Sequence, residues 1–326
     1  MPLEELLGTR FAIAKSQIQG DLQLWALALT GYSIITILMW FLSMRQGRAT
    51  TVGSLWRYAF PAEYYRHPTA RISHWHYILN LLLWAPLVAY TLFCIFGFIA
   101  VEGPVEELLI GTFGSRSPAL PSEWLVAGVQ FAVILLSHTF SDYIIHLAFH
   151  KNAFLWSFHR GHHSLETMTL PAYTREHPVL FLVQNPIAAV ISGLATGAVA
   201  YGLGTPLRHE AIGVLFSYFG FKHAIAIFNH SHVPVSFGWF NRILQGPVMH
   251  QLHHSMEPQH RDKNIGDTLM IWDWIFGTLY LPRKDETYRF GLNEEEYGVN
   301  NPHLTMRAFY LEPFSYAWAV LRRGMS

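Results

Sequence analysis

Five long apolar runs decide what this chain can fold into: Leu22–Met44, Tyr77–Val101, Trp124–Ile145, Val179–Leu203 and Ala211–Phe228. A helix crosses the hydrocarbon layer of a bilayer with about 20 apolar residues. The first two runs meet that length cleanly. The third ends among polar His and Asp, and the fifth is the shortest and contains Lys222 and His223. The fourth and fifth read either as full crossings or as a hairpin that enters the membrane without crossing. Of 326 residues, 51% are hydrophobic and only 13% charged, about half the charge of an average soluble domain. Buried helices of a soluble protein do not need five such runs at this charge. The expected fold class is all-α, a polytopic integral membrane helical protein with about four to five membrane-embedded helices. The N-terminus lacks the basic region and cleavage site of a secretory signal, so Leu22–Met44 is expected to remain as an anchor.

Charge placement gives an orientation. Arg45, Arg48, Arg57, Arg66 and Arg71 lie between the first two runs against one acid, Glu63. Glu102, Glu106, Glu107 and Glu123 lie between the second and third against Arg116 alone. Lys151, Arg160 and Arg175 follow the third run, and Arg242, Arg261 and Lys263 follow the fifth. The positive-inside bias then puts the N-terminus outside and the histidine-rich segments in the cytoplasm. A net charge of zero excludes a basic nucleic-acid binder. The one cysteine, Cys94, excludes an intramolecular disulfide and thiolate metal clusters. From Leu281 onward the chain is more charged and reads as a cytoplasmic tail. Its last stretch, Pro313–Arg323, is expected on the membrane surface.

Histidine carries the chemistry. Of 19 in the chain, 15 fall between His138 and His260, and imidazole is the commonest metal ligand. Asp142-x-x-x-His146-x-x-x-His150 ends the third run. His159-Arg-Gly-His162-His163 follows, and His250-Gln-Leu-His253-His254 comes later. Residues at i, i+3 and i+4 share a helix face, so each triplet presents three imidazoles on one stripe. Eight histidines exceed the need of one tetrahedral ion and suit two metal ions, each held by three or four imidazoles with a position left open. His177 and His230, at the ends of the fourth and fifth runs, are further candidate ligands. Asp142, one turn before His146, is expected to orient a ligand imidazole as an outer acceptor. His138 lies about 12 Å along the axis from His146 and is expected to line a cavity reaching into the bilayer. His67, His74, His76, His209 and His303 read as interfacial or surface residues; His223 and His232 stay unassigned.

This ordered series resembles the fatty acid hydroxylase/sterol desaturase superfamily. The shared elements are D-x-x-x-H-x-x-x-H, H-x-x-H-H-S, R-x-H-P in Arg175–Pro178, a later H-S, a second H-x-x-H-H-S, then Asp262–Gly266 and Trp272–Thr278. The match covers roughly Trp124 to Pro282. Two departures stand out: His232 where the family often has Asn after H-S, and Ile265 where it often has Tyr.

The resemblance implies an integral membrane oxygenase whose two metal ions are usually assigned as iron, with zinc a substitute after overexpression. Its ligands here would be His146, His150, His159, His162, His163, His250, His253 and His254, with His230 as a further one. Such a centre uses O2 as co-substrate and attacks an unactivated C–H bond of a membrane lipid; hydroxylation is the first expectation and desaturation the alternative. Without a G-x-G-x-x-G or C-x-x-C-H motif, electrons must come from an external donor, a ferredoxin or cytochrome b5-like protein with its reductase. A membrane b-type cytochrome would pair histidines within spans, and a metal transporter would scatter ionisable groups through several spans; neither accounts for triplets at span ends. A zinc hydrolase lacks its H-E-x-x-H. The expected organisation is an anchor region over residues 1–120, a catalytic domain with a cytoplasmic histidine-rich helical cap over 121–282, and a tail over 283–326.

Overall fold

The computed structural model describes residues 51–207, 221–283, 286–292, 301, 303–324 and scattered positions between 30 and 44. Most of the first apolar run lies outside the described residues, as do most of the fifth run and His209. Helices dominate what is described: α1 (Val52–Ala59), α2 (Ala62–Tyr65), α3 (Pro68–Phe113), α4 (Glu123–Lys151), α5 (Ala153–His163), α6 (Pro178–Leu203), α7 (Pro247–His253), α8 (Ile271–Phe276) and α9 (Met306–Gly324). Residues 221–229 are helical as well. Among the described residues there is no strand, only two isolated bridges, Leu244 with Leu269 and Ser255 with Phe290. Two described helices, α4 and α6, are long and apolar enough to cross a membrane. The second apolar run lies within α3, which continues to Phe113, so Glu102, Glu106 and Glu107 stand on the same helix.

Small residues set the spacing of the long helices. A Cβ on Gly193 would meet Val101 Cβ at 2.7 Å, and one on Gly197 would meet the Glu102 carbonyl oxygen at 2.5 Å. This G-x-x-x-G pair lets the α6 backbone lie directly against α3, the close approach that membrane helices use where no hydrophobic force separates lipid from protein. α4 packs on the same helix.

The site depends on one break in the chain. Asn152, extended at φ −106° and ψ 117°, ends α4 and caps α5, its Oδ1 accepting from the Phe154 and Leu155 N–H groups at 3.0 and 3.1 Å. The turn folds α5 back beside the last turns of α4. α9 then covers α5. A Cβ on Gly161 would lie 2.9 Å from the Phe309 ring, so the glycine between the histidines admits that ring. Helix α9 closes over α5 with Phe309 and Ala317 buried, and presents Leu311, Phe314 and Trp318 outward.

Candidate metal centre

Nine imidazoles converge in two groups, His146, His150, His159, His163 and His253 in one, and His162, His230, His250 and His254 in the other. Within each group the ligand atoms lie within 4.8 Å of one another. The imidazoles of each triplet divide between the two groups. In α5 the i, i+4 pair His159 and His163 joins the first group, and His162 turns to the second. In α7 the assignment is inverted: His250 and His254 serve the second group and His253 the first. The two helices face each other so that each contributes to both.

Outer contacts fix which nitrogen points inward. Nδ1 of His146 lies 2.7 Å from the Ile265 carbonyl, that of His253 2.9 Å from Lys263 O, and that of His230 2.8 Å from Ala226 O. His162 Nδ1 lies 3.1 Å from Arg175 O. Carboxylates face two more: Glu176 Oε2 stands 3.3 Å from His159 Nδ1, and Asp262 Oδ1 3.5 Å from His150 Nδ1. With the Nδ1–H groups so directed, the Nε2 lone pairs are left for the interior, the arrangement by which outer acceptors orient metal-binding histidines. The Nε2 atoms of His150, His163 and His253 are buried with no hydrogen-bond partner. Those of His146 and His159 lie 2.9 Å apart, as do those of His230 and His250. Such contacts between lone pairs call for a cation, and an all-imidazole donor set suits iron, zinc, copper or nickel.

Glu176 reaches both groups, because its Oε1 lies 3.1 Å from His162 Nδ1 while Oε2 faces His159. The buried Arg175 beside it donates to Gly161 O, Thr69 O, Ser164 Oγ and His303 O at 2.9, 2.8, 2.7 and 3.2 Å. It thereby caps the C-terminus of α5 and ties it to the start of α3. A second brace starts at Asp273, whose carboxylate accepts from the Ile265 and Gly266 N–H groups at 2.7 Å and from Thr278 Oγ1 at 2.6 Å. This holds the loop whose Ile265 carbonyl meets His146. Asp262 and Asn264 take left-handed φ of 55° and 54° in that loop.

Electrostatics keep the donors ready. Burial lowers His159 to about 3 and His230 to about 4. Burial first, and neighbouring imidazoles second, hold His162, His163, His250 and His254 well below the ordinary histidine range. Neutral imidazole is the form that binds metal. Burial pushes the Glu176 carboxyl up to about 8, and a dipositive ion in either group would draw it back down.

Several expected site residues lie elsewhere. His177 belongs to neither group: it caps α6, its Nδ1 accepting from Val179 N–H at 3.3 Å and its Nε2 lying 3.2 Å from Tyr310 O. That ring is occupied by the helix start that Pro178 also favours. Asp142 does not face a ligand imidazole. Its carboxylate accepts from Gln184 Nε2 and Lys222 Nζ, each at 2.5 Å, and lies 3.5 Å from His138. Lys222 is also 2.9 Å from Asp267. His232 lies 2.7 Å from the Tyr58 carbonyl. His76 and His303 are buried rather than on the surface, packed around Phe309. Helix spacing does not single out Glu176, Asp262 or Asp273, although each sits inside one of the sequence motifs. A carboxylate flanked by a cation and an imidazole was the available signal for Glu176.

The family model for fatty acid hydroxylase matches residues 131–278. Relatives include the ornithine lipid hydroxylase OlsE of Rhizobium tropici, 28% identical over 53% of this chain and 48% of its own length. An alkylglycerol monooxygenase of Caenorhabditis elegans is 26% identical over 54% of this chain and 32% of its own. The fatty acid hydroxylase vlmA of a Lecanicillium species is 26% identical over 48% of this chain and 42% of its own. The chain therefore spans half or less of the length of these relatives. No solved structure matches it.

Proposed function

Because this chain belongs to the fatty acid hydroxylase/sterol desaturase superfamily through residues 131–278, we propose that it is a membrane-bound, O2-dependent hydroxylase of a lipid. The observation that carries the reading is the convergence of nine imidazoles in two groups where α4 ends. Two iron ions held there would supply the oxidising power for an unactivated C–H bond, and an external ferredoxin or cytochrome b5-like donor with its reductase would supply electrons. The chain's own work is positioning. His146, His150, His159, His163 and His253 would hold one ion, and His162, His230, His250 and His254 the other. Glu176, Asp262 and the Ile265 and Lys263 carbonyls keep the rings aimed inward. Asp142, Lys222 and Asp267 clamp the 221–229 helix against α4 beside the site.

The substrate class follows from placement. The catalytic rings begin at the end of an apolar helix, so a lipid can approach from the membrane without leaving it. Two of the relatives are named for ornithine lipid and alkylglycerol, which supports hydroxylation of a polar membrane lipid over desaturation. The arginine bias supports a cytoplasmic site in a multi-pass protein.

Comparative lipidomics of wild type, deletion and His163→Ala under aerobic growth tests this. One lipid class should carry an added oxygen in wild type alone. Loss of two hydrogens instead would make the enzyme a desaturase, and identical profiles would overturn the oxygenase reading. Metal analysis of purified protein should give about two equivalents, lowered in His162→Ala and His253→Ala.

A further inference from the structure

Large apolar side chains stand uncovered on two short elements of the cap. Trp239, Phe240 and Ile243, in and beside the 3₁₀ turn Gly238–Arg242, are 62%, 59% and 41% exposed; Trp274, Ile275 and Phe276 on α8 are 69%, 55% and 52% exposed. The two elements are tied together, since Met270 N–H donates to Ile243 O at 2.9 Å and Leu244 bridges Leu269. Their charges are arranged for an apolar neighbour. The one charge of α8, Asp273, is fully buried beneath it, and the one charge of the 3₁₀ turn, Arg242, is exposed at its end.

The position of α8 says what that neighbour is. Phe276 stacks on Phe140 and Tyr143 of α4, with ring centroids 6.2 and 5.4 Å apart, and Trp272 Nε1–H donates to Thr139 Oγ1 at 3.0 Å. Trp272 also closes an apolar groove of about 320 Å³ formed with Val133, Leu136, Ser137, Phe140 and Ala195 on α4 and α6. Phe140 lies five residues inside the apolar run that ends at Ile145, about 7 Å along the helix axis. If α4 crosses the bilayer, α8 is at the depth of acyl chains.

We propose that α8 and the Gly238–Arg242 turn form a membrane-inserted face of the cap, whose partner is the lipid leaflet on the histidine side. Trp239 and Trp274 then sit where aromatic residues collect, at the boundary of headgroups and hydrocarbon, and Arg242 meets the phosphates. The apolar surface is continuous with that of α4 and α6, which favours lipid over a second protein as its cover. The proposal rests on the reading that α4 spans a membrane.

The test uses the full chain with Cys94→Ala and one new cysteine at a time, Trp274→Cys, Trp239→Cys or Phe240→Cys, labelled with an environment-sensitive fluorophore. The probe is a phosphatidylcholine vesicle brominated near the headgroup end of its acyl chains, with aqueous iodide as the opposing quencher. Leu136→Cys on the outer face of α4 reports membrane insertion, and Arg289→Cys reports water. Emission at 239, 240 and 274 should fall about twofold in brominated lipid and resist iodide, as at 136 and unlike 289. Quenching by iodide instead, or protection from both quenchers together with a dimeric particle mass, would overturn the proposal while leaving α4 in the membrane. If Leu136→Cys also fails to respond to brominated lipid, the membrane reading fails and this one with it.

Discussion

At the scale of single residues, the centre is built in two layers: nine imidazoles converge, and acceptors behind six of them decide which nitrogen is free. Glu176 is the carboxylate that faces a ring of each group. In Glu176→Gln one carboxylate oxygen becomes an NH2 that cannot accept, so a donor is turned toward His159 Nδ1 or His162 Nδ1, of which only His162 keeps a second acceptor in the Arg175 carbonyl. Metal affinity should fall about 10- to 100-fold, read as metal retained after dialysis against a graded chelator series. Retention equal to wild type would remove Glu176 from the metal-supporting set. The depressed histidines also predict a pH dependence. A base with a lowered folded value binds fewer protons folded than unfolded, so its contribution is present above the unfolded value of about 6.5 and lost as pH falls toward the folded one. For His159, near 3, and His230, near 4, the metal-free protein should lose thermal stability steadily from about pH 6.5 to pH 4. A flat melting temperature over that window would contradict the buried, neutral assignment.

Among the elements, contact distance rather than hydrophobicity decides the arrangement of α3 and α6. Gly197→Ala places a Cβ 2.5 Å from a backbone oxygen of α3, and backbone cannot move aside as a flexible side chain does. The cost should be about 1–3 kcal/mol, measured as a lowered melting temperature in detergent. Gly202→Ala, on the same helix with nothing within 4 Å, should leave it unchanged. The α4–α5 junction carries the functional weight. Asn152→Ala removes the acceptor for two N–H groups, worth about 1 kcal/mol, and loosens the angle that brings His146 and His150 to His159 and His163.

For the whole molecule, the arginine bias and the position of the histidines make one claim about sidedness. Reporter fusions at Met256 should read as cytoplasmic and at Glu106 as external; the reverse would show that charge bias does not orient this chain. The histidine-bearing helices and the long apolar helices are tied together. Arg175 links α3, α5 and the segment at His303, and α9 seals α5 from outside.

Helix spacing alone makes the histidine clusters legible in the sequence. Imidazoles at i, i+3 and i+4 must share a face, and a low-charge chain with long apolar runs must put them beside a membrane. Nine of the ten expected ligands are among the converging rings. What spacing could not say is which neighbour each ring turns to. His162 and His163 are adjacent in the chain, yet a step of about 100° around the helix sends them to different groups. His177 has the right composition around it and the wrong position, because a histidine before proline also makes a helix cap. Glu176, Asp262 and the carbonyls of Ile265 and Lys263 became outer acceptors only through contacts between distant segments. Composition and periodicity act within one helix turn or across one bilayer, so they determined the helical class and the candidate rings. The pairing of α5 with α7, the choice of nitrogen and the brace through Arg175 and Asp273 are long-range packing, and only the tertiary structure decided them.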